Sequence, residues 1–180
     1  MALDDYVRTA GIATELVNTT AEVWHGVDHL PDLDALVAFA EPHGLAELAG
    51  RARATDLRAV HRLRATVREL IDHPDRERLI AGASALTTTV GQVTLDARTR
   101  WAVSLRPRAT LSDALSLICG VGVLGVVQTL GEDRFRACSA PTCSGAFIDT
   151  TRPGRRRYCM PGLCGNRVNV ANHRARQARE

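Results

Sequence analysis

Apolar residues recur at a helical period through most of the first 130 positions. In DDYVRTAGIATELVNTTAEVW, the placing of Val7, Ala10, Ile12, Leu16 and Val17 predicts a helix. DLDALVAFAEPHGL opens on an aspartate suited to capping and meets Pro42 and Gly44, which stop a helix. TDLRAVHRLRATVREL sets Leu57, Val60, Leu63, Val67 and Leu70 on one face, with Thr55 as its expected cap and Pro74 beyond its end. DRERLIAGASALTTTV predicts a further helix. In QVTLDARTRWAVSL the period shortens and β-branched residues enter, which predicts a two-stranded hairpin.

TLSDALSLICGVGVLGVVQTL begins with Thr110 and an acid three residues later, a variant of the capping box, and continues as a buried helix. Gly120, Gly122 and Gly125 weaken that helix intrinsically. They serve either tight packing against another helix or the approach of a ligand to the backbone. The fold class predicted is mainly α with a small β-hairpin: a helical domain over 1–133, then a small four-cysteine module of hairpin and helix over 134–180. The linker is expected around Gly131 to Arg136.

With 180 residues there is room for one ordinary domain and an appendage. Hydrophobic residues make up 45% and aromatics only 4%, so the core must be built from Ala, Leu and Val. The N-terminal stretch lacks the basic-then-apolar pattern of a secretory leader, and the longest apolar run, Leu115 to Leu130, is interrupted by Ser, Cys and Gly. The expectation is a cytoplasmic protein without membrane association. There is no phosphate-cradling glycine loop, nucleophile elbow or paired-carboxylate motif, so no enzyme activity is expected.

Charge is lopsided. From Arg134 to the end, ten Arg stand against Asp149 and Glu180, so 10 − 2 gives +8; residues 1–133 carry 13 Arg and 18 acids, so 13 − 18 gives −5; the sum is the chain's +3. A basic end of this kind either meets a polyanion or is a solvated tail.

Four of the five cysteines lie inside that end. Cys138 and Cys143 are separated by four residues, as are Cys159 and Cys164, with fifteen between the pairs. Two short loops can each supply two corners of a tetrahedron, and in a reducing compartment such pairs point to zinc rather than disulfides. Four thiolates close the coordination shell, which makes one structural Zn2+ the expected cofactor. GAFIDTT is strand-like, RPG a turn, and RRRY able to return as a second strand, so a hairpin between two knuckles is expected. Cys119 stands alone in the apolar helix as a core residue.

The tail GNRVNVANHRARQARE has helical composition, with Val168, Ala171, Ala175 and Ala178 on one face. Arg, Asn and His are side chains that reach phosphates and base edges. Candidate DNA contacts are Arg152, Arg155, Arg156 and Arg157 on the hairpin, and Asn166, Arg167, Asn169, His173, Arg174 and Arg176 on the tail. In the helical domain, Asn18 and Trp101 are candidate ligand contacts; the alternative for Asn18 is a satisfied structural hydrogen bond, and for Trp101 core packing. His25 and His29, without a third ligand, are read as surface residues.

The stretch CSAPTCSGAFIDTTRPGRRRYCMPGLCGNRVNVANHRAR resembles the CGNR zinc finger of bacteria, named for the tetrapeptide found here at Cys164, Gly165, Asn166 and Arg167. ELVNTT (Glu15 to Thr20) resembles the early L-V-N-T motif of the ABATE domain that precedes the finger in that family, with Glu15 where Asp is more usual. The resemblance implies a transcription regulator: a finger that binds DNA, and a helical domain that senses a small effector or forms a homodimer. Its zinc ligands would be Cys138, Cys143, Cys159 and Cys164; Asn166 and Arg167 would serve DNA or the finger's own structure. The competing expectation is a zinc-stabilised clasp that binds a protein, or its own helical domain, without touching DNA.

Overall fold

Helix α1 spans Tyr6–Val17 and buries Ala10, Ala13, Leu16 and Val17. The computed structural model, which describes residues 5–95, 97, 100–166, 168–170 and 177, ends this helix well before Trp24. The reason is local. Asn18 Nδ2 turns back to the Thr14 carbonyl at 2.7 Å, and Thr19 Oγ1 to the Leu16 carbonyl at 2.7 Å. Side chains of this type compete with the helical ladder, and turns follow as far as Gly26.

Helix α2 (Leu33–Ala40) has the expected cap, Asp32 Oδ1 accepting from Ala35 N at 2.9 Å. A 3-10 turn at Glu41–His43 leads into Gly44. The short α3 (Ala46–Ala49) precedes α4 (Ala54–Asp72), which turns Val60, Leu63, Val67 and Leu70 inward. The cap of α4 differs from expectation. The helix already includes Thr55, and Asp56 takes over the terminus, its carboxylate accepting from Arg53 N at 3.0 Å. Helix α5 (Arg76–Thr88) is capped by Asp75. The predicted hairpin follows: β1 (Gly91–Leu95) and β2 (Trp101–Leu105) are antiparallel, Gly91 opposite Leu105.

Helix α6 (Leu111–Thr129) is the axis of the body. Thr110 and Asp113 form the reciprocal cap read from the sequence, and Asp56 also accepts from Ser112 N at 3.1 Å, tying the starts of α4 and α6 together. By length and composition α6 could cross a bilayer, but 72% of its apolar window is buried within the fold. Each fully buried leucine of this core, Leu16 and Leu115 among them, contributes about 2 kcal/mol. The glycines explain the depth of packing. A Cβ on Gly122 would lie 2.6 Å from Ala10 N, and one on Gly120 would lie 2.8 Å from Ala83 O. Thus α1 and α5 press on α6 backbone to backbone, and helices rather than a ligand fill the space.

After α6, a 3-10 turn (Glu132–Arg134) leads into β3 (Phe135–Ala137), which pairs antiparallel with β4 (Ala146–Ile148), Phe135 opposite Ile148. This corrects two expectations. The partner of GAFIDTT is the strand before it, not RRRY, and residues 155–158 are in no strand. Of the segment expected as a linker, Phe135 and Arg136 belong to that sheet. Burial decides the pairing: Phe135, Ala146 and Ile148 are at most 3% exposed and join the helical core, a gain three arginines could not offer. Among the described residues the architecture is mainly α with two small antiparallel hairpins.

Candidate metal centre and basic surface

The pairing of β3 with β4 dictates where the first two cysteines go. Cys138 directly follows β3, and Cys143 precedes β4, so the turn between the strands carries both. Cys138 N donates to Gly145 O at 2.7 Å, and Cys143 N to Ala140 O at 3.0 Å, closing the first knuckle. The second knuckle holds Cys159 and Cys164 across a π turn, Pro161–Gly165, with Cys164 N donating to Met160 O at 2.8 Å. The knuckles meet. Cys143 Sγ lies 3.6 Å from Cys159 Sγ and 3.6 Å from Cys164 Sγ, and Cys159 and Cys164 are 3.8 Å apart. All four sulfurs lie within 4.8 Å of one another.

A tetrahedron with metal–sulfur bonds of about 2.3 Å has edges of about 3.8 Å, so the spacing of the sulfurs fits zinc. Their surroundings fit it as well. Gly145 N donates to Cys143 Sγ at 3.3 Å, and Cys159 N to Cys138 Sγ at 3.5 Å; such donors stabilise thiolate charge. Burial pushes the Cys164 thiol up to about 11 and the Cys159 thiol up as well, with neighbouring sulfurs adding to the effect. At Cys138, burial acts upward but is outweighed by the N–H groups of Cys159 and Ala140, so its pKa falls. A divalent cation bound by all four sulfurs would hold them as thiolates. Cys119, buried alone in α6, is pushed up to about 12 by desolvation and is an ordinary core thiol.

The module is locked to the helical body through β4. One edge of β4 faces β3; the N–H groups of Ala146 and Ile148 point to the other edge. Ala146 N donates to Asn18 Oδ1 at 3.0 Å, Asn18 Nδ2 donates to Ala146 O at 2.6 Å, and Ile148 N donates to Thr14 Oγ1 at 3.0 Å. The periods match: four residues of helix rise about 6 Å, and two residues of strand about 6.7 Å. Thr14 in α1 and Asn18 at its C-cap, four apart, therefore meet Ile148 and Ala146, two apart on β4. Every polar group of the Asn18 side chain is used this way, and Asn18 O accepts from Trp24 Nε1 at 2.7 Å. Asn18 is thus a structural clamp, the alternative that the sequence offered beside a ligand contact. Trp101 lies in β2, and its side chain is outside the described residues.

Gly145 sits between clamp and metal ligands. A Cβ there would lie 2.5 Å from Cys159 Sγ, 2.7 Å from Asn18 Oδ1 and 3.1 Å from Cys143 Sγ, so only glycine fits.

The candidate DNA-contacting residues divide. Arg152, Arg155 and Arg157 are exposed, as are Asn166 and Asn169. Asn166 Nδ2 turns back to Gly162 O at 2.8 Å, which gives it a part in closing the π turn. Arg156, unlike Arg155 and Arg157, faces inward, half-buried, its guanidinium stacked 4.8 Å from the centre of the Phe147 ring. Arg167, His173, Arg174 and Arg176 lie outside the described residues. Two further arginines of the basic end are internal braces that sequence reasoning did not single out: Arg134 Nη1 donates to Thr151 O at 2.7 Å, and Arg136 Nη1 to Gly154 O at 2.8 Å. Asp149, fully buried, accepts from Thr151 N, Thr151 Oγ1 and Arg156 N at 3.0, 2.6 and 3.0 Å. Burial raises its pKa, but these donors and the Arg136 charge prevail and lower it.

A helical body clamped to a four-cysteine knuckle pair defines a zinc-finger protein in which the four cysteines hold one structural Zn2+. The CGNR zinc finger model matches residues 134–177, and the ABATE model, described as "Putative stress-induced transcription regulator", matches residues 11–127. The chain belongs to the ABATE family and carries its regulatory zinc-binding architecture. The comparison with curated proteins finds no match.

Proposed function

We propose that this protein is a cytoplasmic DNA-binding transcription regulator whose zinc module meets the phosphate backbone. The observation that carries the reading is the set of exposed guanidinium groups of Arg152, Arg155 and Arg157, on a module whose shape the metal fixes. None of the three has an ion pair to a carboxylate among the described residues. The module's charge, opposite to that of the body, favours one face toward a polyanion. A selection of genomic DNA fragments by the purified zinc-loaded protein tests it. Enrichment of discrete sites, lost as salt rises, is the expected result; no retention of DNA even at low salt would overturn the reading.

We also place the effector site in a cleft of about 440 Å³ between α1 and the second knuckle, lined by Thr14, Trp24, Phe39, Arg156, Cys159 and Met160. It touches body and module together, and its walls suit a small, largely apolar molecule. A molecule bound there should raise the melting temperature and alter DNA affinity in parallel; a rise in the first with no change in the second would refute the coupling. A second reading, a zinc clasp for the chain's own body, is favoured by the Asn18 clamp itself. A protein that keeps this clamp and binds no DNA would support it.

A further inference from the structure

The run Arg155-Arg156-Arg157 is uniform in sequence and divided in space. Arg155 and Arg157 are exposed, and Arg156 between them is half-buried, as the two-residue period of an extended chain requires. Arg156 Nε donates to Tyr158 O at 2.8 Å, and Nη2 donates to Cys159 O. Its main-chain N–H is held by buried Asp149 at 3.0 Å, and its guanidinium plane stacks on Phe147, which is wholly buried and packs with Cys159 and Cys164. No carboxylate forms an ion pair with that guanidinium among the described residues. Asp149, and the sulfurs of Cys159 and Cys138 once a metal holds them as thiolates, are the negative groups that attract it.

A half-buried cation is costly without a counter-charge. The metal centre supplies one: four thiolates and a divalent ion leave a formal charge of about −2. We infer that Arg156 is a positioning residue of the metal centre, its guanidinium bracing the second knuckle through two carbonyls while its charge offsets that of the tetrathiolate. Its neighbours stay free for other work. This goes beyond the DNA-binding reading and does not depend on it.

The test uses full-length zinc-loaded protein and competition with a chromogenic chelator. Arg156→Gln should hold zinc about 10- to 100-fold more weakly, the range for loss of a partner behind a metal ligand. Arg156→Lys keeps the charge but not the planar fork, so it should fall between Gln and parent. Arg155→Gln and Arg157→Gln should retain zinc as the parent does. The inference is overturned if Arg156→Gln matches the parent, or if either neighbour costs as much. Should Arg156→Gln not accumulate as folded protein, Arg156→Lys decides alone: weakened retention supports the role, and parental retention overturns it. A loss of DNA binding in the neighbour variants bears only on the proposed function, so the two readings fail separately.

Discussion

Substituting Asn18 with Ala isolates the contact that joins body and zinc module. The change removes both hydrogen bonds to β4 and strands the N–H and the C=O of Ala146, a residue with no exposed surface. Each buried backbone group left without a partner costs about 1–3 kcal/mol. Two such groups give about 2–6 kcal/mol, and a water entering the vacated space would pull the value toward the lower end. For a chain of this size each kcal/mol lowers the melting temperature by about 2–4 °C, so a fall of roughly 6–12 °C is expected for about 3 kcal/mol. Calorimetry of the zinc-loaded protein reads it. Asn18→Asp sharpens the test. A carboxylate can still accept from Ala146 N, but it cannot donate to Ala146 O and would place buried charge against a carbonyl. It should therefore be no better than Ala. A melting temperature within about 1 °C of the parent for Asn18→Ala, or recovery by Asp, would refute the reasoning.

Three further outcomes are expected. Gly145→Ala forces a methyl group against Cys159 Sγ and Asn18 Oδ1; it should lower both zinc retention and melting temperature, and a change in only one would show that the clamp and the knuckles are independent. Arg155→Gln and Arg157→Gln should each reduce the slope of log DNA affinity against log salt by about one, as read by fluorescence anisotropy across a salt series. The Asp28 carboxylate, paired with Arg64 at 2.6 Å, is held below its usual range by that guanidinium and by Leu30 N, against the effect of burial. A depressed pKa contributes stability that is present above the unfolded value of about 4 and lost as pH falls through the folded one. The stability gap between the parent and Asp28→Asn should therefore be widest near neutrality and shrink in acid; a gap independent of pH would count against the pair.

Much of this was legible in the residues themselves. The cysteine spacing pointed to the metal ligands, because two knuckles need only local turns. Thr110 with Asp113 marked the start of α6 for the same reason: both caps act within one turn. The partner of β4 was not legible. Phe135-Arg136-Ala137 is too short to show alternation, and its pairing is decided by a core that forms across the chain. The inward turn of Arg156 left only a faint signal, the alternation within a run of identical residues. Asn18 was visible as an amide in an apolar helix, but its partner lies 128 residues away, and no local pattern reveals that. The cap of α4 was misplaced by two positions because Thr55 and Asp56 both suit a helix start, and only Asp56 also reaches α6.

The far edge of β4 also bears on how the protein behaves in a crowded solution. An open strand edge invites pairing with a neighbouring molecule. Here the N–H and C=O of Ala146 and the N–H of Ile148, which would offer that template, are already occupied by the Thr14 hydroxyl of α1 and the amide of Asn18 at its end. Fragments that separate the finger from α1 would uncover a sticky border that the intact chain keeps shut, so self-association of the excised finger would be a product of the cut.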